Sequence, residues 1–137
     1  MDYSKLSDQE INGLVIDAIS DGNQAYRGGD GSAIELLHQI NTVEFGEHVE
    51  REEVYAKFDP CNNPADAWPI IVENNISLVL DNPSSPMATS NCVGWYSDEE
   101  PPIYASNQNP LRAAMTVFLM MQESANVQAN PARPDIR

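Results

Sequence analysis

Apolar residues at Ile11, Leu14, Val15, Ala18 and Ile19 recur at i, i+3, i+4, i+7 and i+8, which predicts a helix with one face on a core. Ser7-Asp8-Gln9-Glu10 in front of it is a capping box, in which the Ser7 hydroxyl and Glu10 carboxylate satisfy free amides at the helix start. Asp21-Gly22 ends the helix, and Leu6 is placed to staple onto Ile11. A second apolar stripe, Ala113, Ala114, Val117, Phe118 and Met121, follows Asn109-Pro110, a cap and a first-position proline. This last helix is apolar almost all round, so more than one face must be covered, by its own sheet or by a second copy of the chain. A homodimer is the default expectation for such a surface.

Between these helices the pattern is weaker. Gly28-Gly29-Asp30-Gly31 reads as a loop. Ala33 to Ile40 fits a strand or a short helix. The alternating, β-favouring Thr42-Val43-Glu44-Phe45 tips the reading towards strand, with the upstream run as its hairpin partner. Pro64 suits the first turn of a helix capped by Asn63, or Asp66 caps a later start with Pro69 in the first turn; either helix runs to about Glu73. Asn74-Asn75 then gives a left-handed C-cap before a short strand over Ile76 to Leu80. Asp81 to Asn91 is a loop before a strand at Val93-Gly94-Trp95-Tyr96. Helix, strands, helix, strands, helix is an α+β order, with helices packed on a mostly antiparallel sheet. One domain over residues 1–123 and a flexible polar tail over 124–137 complete the organisation.

Charge narrows the partners. Among 137 residues, 21 acidic against 7 basic side chains give a net charge of −14. That surface repels nucleic-acid phosphates and anionic membranes, so direct nucleic-acid binding and membrane association are not expected. Cys61 and Cys92, with no signal peptide or long apolar run, read as thiols in a reducing cytoplasm. With His38 and His48 they lack the short spacings of a zinc site, and no metal or cofactor is expected. No nucleophile elbow, Walker loop or H-E-x-x-H motif is present.

The run from Phe58-Asp59-Pro60-Cys61-Asn62-Asn63-Pro64 through Ala67-Trp68-Pro69 to Asn74 is distinctive. With Met1-Asp2-Tyr3-Ser4-Lys5-Leu6-Ser7 and Asn109-Pro110-Leu111-Arg112-Ala113-Ala114, it resembles the NinX-like proteins of lambdoid phages and the wider group of small phage α-β-α sandwich domains. The resemblance implies a small α-β-α sandwich and a phage-encoded protein in the host cytoplasm, and it brings no active site to transfer.

Three sets of residues are candidates for binding. Asn62, Asn63 and Asp66 beside Trp68 form a polar rim next to an aromatic plate, able to bond a base edge while the indole stacks; the alternative is two helix caps and a core tryptophan. Trp95 and Tyr96 point to opposite faces of a strand, which exposes one of them if only one sheet face is covered. Arg112, a cation in the first turn of a helix, conflicts with the helix dipole unless an anion sits beside it. Arg27 could reach the same anion, and the alternative is an ordinary salt bridge to one of the many carboxylates.

The expected function is non-catalytic capture of a small nucleotide-like signalling molecule, used to counter host defence. An acidic nucleic-acid mimic that blocks a host DNA-binding protein is the alternative. Its charge comes from Asp8, Glu10, Glu44, Glu47, Glu50, Glu52, Glu53, Asp98, Glu99 and Glu100. A metal-dependent nucleotide hydrolase is a weaker one. A nucleotide binder requires arginines and aromatics gathered in one concavity, whereas a mimic requires its acids in a stripe.

Overall fold

The computed structural model describes residues 1–81, 85–90 and 103–129, with side chains to 126. The expected strand at Val93 to Tyr96, with Cys92, Trp95, Tyr96 and Asp98 to Glu100, lies outside the described residues, as does the end of the tail.

The elements bear out an α+β class. A short 3-10 turn at Tyr3–Lys5 precedes α1 (Asp8–Ser20), β1 (Tyr26–Gly28), β2 (Ile34–Glu44) and β3 (Glu47–Phe58). Then come α2 (Pro64–Glu73), β4 (Ser77–Val79), β5 (Met87–Thr89), β6 (Tyr104–Ser106) and α3 (Pro110–Ala129). Among the described residues the strands form not one sheet but two antiparallel three-stranded sheets, β1-β2-β3 and β4-β5-β6.

The helix signals read from sequence operate as expected. Ser7 accepts from the Glu10 amide at 3.0 Å, and Glu10 accepts from the Ser7 amide at 2.9 Å. Asp21 closes α1 in the left-handed region at φ 53°. Asn63 caps α2 through the Ala65 amide at 3.0 Å with Pro64 in the first helical position, which selects the earlier of the two starts. Pro69 therefore lies inside the helix. Asn75 takes the left-handed conformation beyond its end, at φ 54°. Asn109 caps α3 by accepting from Leu111 at 3.0 Å, and the helix continues to Ala129, past the point where the polar tail was expected to begin.

The region before α2 differs from expectation. Ala33 to Ile40 and Thr42 to Phe45 are not hairpin partners; from Ile34 to Glu44 they form the single strand β2, and its partner is β3 downstream. The turn between them is Phe45-Gly46, with φ of 52° and 80°. Two successive positive φ values match the twist of a two-residue hairpin turn, which usually takes Asn-Gly or Asp-Gly. Phenylalanine in the left-handed region costs of order 1–2 kcal/mol, so the sequence carries no turn signal here. Nor does β3 alternate: it is exposed along most of its length.

Packing explains why α3 is apolar all round. Ala113, Ala114, Met115, Val117, Phe118 and Leu119 are all buried, and α3 packs against α1, α2 and all three strands of the second sheet. These contacts form the main core together with Ile11, Val15, Ile70, Ile71 and Ile76. Most of the apolar surface from which self-association was expected is thus covered within one chain, with Met120 and Met121 left partly exposed. A smaller core of Ile16, Ile34 and Leu36, with Ala56 and Phe58 against it, joins α1 to the base of the β2–β3 hairpin.

Met115 is fully buried at the centre of this arrangement. Met115→Ala is expected to cost about 2–5 kcal/mol through lost transfer energy and a residual cavity. Urea denaturation followed by circular dichroism checks it.

Candidate functional site

The central Asn-rich loop lies at the surface, with Asn62 and Asn63 exposed, and a network of polar side chains ties it to the rest of the chain. Asn12, fully buried on α1, donates from Nδ2 to the Ser32 carbonyl at 2.9 Å and to Asp59 Oδ1 at 2.8 Å, and its Oδ1 accepts from the Cys61 amide at 3.1 Å. A buried amide with its donors and acceptor engaged avoids a desolvation cost of several kcal/mol. Ser32 Oγ donates to the other Asp59 oxygen. The Asp59 amide donates to Asp66 Oδ2 at 2.9 Å, so Asp66 pins the loop instead of capping α2. Asn62 donates to Asp8 Oδ2 at 2.9 Å and accepts from Asn109 Nδ2 at 2.9 Å. Asn109 also donates to the Cys61 carbonyl at 2.7 Å.

Arg112 completes the network. Its Nη1 meets Asp8 Oδ1 at 2.6 Å, and its Nη2 donates to the carbonyls of Tyr3 at 3.0 Å and Leu6 at 2.6 Å. The side chain is only 14% exposed. The anion expected beside this guanidinium is therefore the chain's own Asp8, an acid at the start of α1 where the helix dipole also favours negative charge. Burial opposes ionisation of Asp8, but the hydrogen bonds from Asn62 and Arg112 and the Arg112 charge outweigh it, leaving its pKa below the ordinary 3.8. Burial pushes the Cys61 thiol up to about 12, aided by the Asp8 charge, so this cysteine is an inert packing residue.

Arg27 does not join Arg112. Its Nε pairs with Glu35 Oε1 across β1 and β2 at 2.8 Å. Each guanidinium thus meets its own carboxylate, and Asn62, Asn63 and Asp66 are each engaged within the chain. Trp95 and Tyr96 lie outside the described residues.

Trp68 is different. Its side chain is not core but 61% exposed on the outer face of α2. It borders a groove of about 530 Å³ formed with Ile71, Val72, Asn75, Ile76, Ser77 and Leu78. Among the described residues no charged side chain lines this groove. Arg112 lines a separate cavity of about 260 Å³ with the N-terminal turn, Asn107 and Thr116. The structure therefore divides the expected aromatic-plus-arginine pocket into two unconnected places.

The model of the family described as Bacteriophage P22, NinX matches residues 2–122. The chain belongs to this family. That span takes in the capping box, the Asn-rich loop, Trp68 and most of α3. No curated relative and no solved structure matches. Among the described residues no three His, Cys, Asp or Glu side chains converge as metal ligands do, and no helix is long and apolar enough to cross a membrane.

Sequence reasoning missed Asn12, Ser32 and Asp59 as members of the network. The available signal was Asn12 itself, an amide of low helix propensity set between Ile11 and Val15. Arg112→Ala strips Asp8 and two carbonyls of their partner and is expected to cost about 2–3 kcal/mol in urea denaturation. Because the folded-state pKa of Asp8 is depressed, its contribution is complete above the unfolded value of 3.8 and is lost as pH falls through the lower folded value. Asp8→Asn is accordingly expected to flatten the acid limb of a stability-versus-pH curve.

Proposed function

We propose that this phage protein acts by binding, without catalysis, and that the Trp68 groove captures the planar face of a small nucleotide-like ligand. The observation that carries the reading is an indole left uncovered at the edge of a groove of about 530 Å³, within the range of small-molecule sites. A base stacked on Trp68 would find Asn75 and Ser77 at the rim as hydrogen-bonding groups. With no cation in the lining among the described residues, recognition rests on the base and not on the phosphate, which would stay in solvent.

The polar network argues against catalysis at the Asn-rich loop. Its carboxylates and amides are spent on one another, and its thiol is held protonated. A phage gains from such capture by removing a host immune signal from the cytoplasm, which makes counter-defence the use that best fits a viral accessory protein.

Stacking of a base on an indole is worth about 1–3 kcal/mol. Calorimetry against a panel of cyclic and ADP-ribose-type nucleotides is expected to show binding that Trp68→Ala weakens by that amount. Since Trp68 is exposed, the melting temperature should barely move. Wild-type protein that binds none of the panel, or a variant that binds equally well, overturns the reading. Arg112→Ala is unsuitable as a companion, because it would unfold the network rather than report on a ligand.

A further inference from the structure

The β2–β3 hairpin leaves the body of the protein. Its base is covered by α1 and by β1, which pairs only with Ile34 to Leu36. From His38 to Glu53 most residues are exposed, and only Ile40, Thr42 and Val49 are partly shielded. Glu44 pairs with Glu47, Thr42 with Val49, Ile40 with Arg51 and His38 with Glu53 on one face. Val43 with His48, Asn41 with Glu50 and Gln39 with Glu52 share the other. A two-stranded ribbon without a packed face gains little stability by itself, so its length beyond the base serves no purpose within the fold.

Two features of the tip run against its own stability. Phe45 occupies a left-handed position with its side chain wholly exposed, although glycine or asparagine would make the same turn without strain. Strained residues that nothing in the chain compensates concentrate where function demands them. Beside it, Glu44 and Glu47 are directly opposed like charges, an unfavourable cross-strand pair. Residues 38–53 hold five glutamates against one arginine. That arginine, Arg51, is drawn to Glu53 at 3.4 Å, and Glu50 meets only His48, at 3.8 Å. Among the described residues no cation reaches Glu44, Glu47 or Glu52 within ion-pair distance.

We propose that this ribbon is a docking arm for a protein partner with a basic surface. Phe45 seats in an apolar recess of the partner, Glu50 and Glu52 on one face of the ribbon meet its lysines and arginines, and Glu44 and Glu47, on the other face beside the turn, flank the recess. Alternate residues along a strand stand about 6.8 Å apart, so Glu50 and Glu52 offer a regular row of negative charge on one face. Charge complementarity selects the class of partner: nucleic acid and anionic membranes are repelled, while a protein surface built to hold an anionic polymer is attracted. An aromatic anchor ringed by charges is the usual distribution of binding energy in such a contact.

The test is displacement of fluorescein-labelled duplex DNA from purified basic DNA-binding proteins of the bacterial host, read by anisotropy. Wild-type protein is expected to release the duplex from at least one of them, less well as salt is raised. Phe45→Ala, and separately the triple change Glu47→Gln, Glu50→Gln and Glu52→Gln, should each weaken release by about tenfold or more. A charge-matched control, Asp21→Asn, Asp30→Asn and Glu73→Gln, should behave as wild type. Release by all variants alike would mean bulk charge and not the ribbon, and overturns the proposal; so does absence of release from every protein in the set.

Discussion

The pairing of Asp59 with the buried amide of Asn12 is the contact on which the rest of the molecule depends. Asn12 sits at the middle of α1 and Asp59 at the end of the hairpin, just before α2, and the same carboxylate collects Ser32 from the loop before β2. One acidic group thereby fixes the first helix, the base of the first sheet and the entry to the second helix. Asn62 and Asn109 pass the connection to α3, and Arg112 returns it to α1 through Asp8. The partners are 47 residues apart for Asn12 and Asp59, 48 for Asn109 and Cys61, and 104 for Arg112 and Asp8. No part of such a network is rewarded until distant segments have already met, so it favours a fold that forms as a whole and not by increments.

This also explains why the most distinctive run of the sequence is structural. Asn62, Asn63 and Asp66 have the composition of a binding loop, but the side-chain bonds they make go to the chain itself, Asn62 and Asn63 doing so at the surface. Conversely, Trp68, Phe45 and, among the hairpin glutamates, Glu44, Glu47 and Glu52, which no described cation reaches, stand on α2 and on the ribbon. The chain separates scaffold from surface cleanly: polar groups in the middle hold the frame, and unsatisfied apolar and acidic groups are carried at its margins.

What was legible in the sequence follows the range of the interaction. All three helices were visible with their caps, because Ser7 with Glu10, Asn63 with Pro64 and Asn109 with Pro110 act over two or three residues. The strand Ile34–Glu44 was visible only in two pieces, read as hairpin partners, because Thr42-Val43-Glu44 carries the alternating β-favouring pattern and the run before it does not. Its partner was not, because β3 is exposed along most of its length and Phe45-Gly46 breaks the usual turn chemistry. The identity of the anion beside Arg112 was equally hidden: many carboxylates could serve, and only the packing of α3 against α1 selects Asp8. The exposure of Trp68 depended on which side of α2 meets α3, which helical periodicity in a ten-residue element crossed by Pro69 does not determine.

The ribbon raises a different problem that its composition answers. β3 is a strand of 12 residues with a free edge among the described residues, and such an edge is a template on which further copies can add strand by strand. In this chain any second ribbon approaching in register brings its own row of glutamates against the first. The same charge that makes the arm attractive to a basic protein keeps identical arms apart, so a long bare hairpin can be displayed at high copy number in a cell without becoming the seed of a fibre.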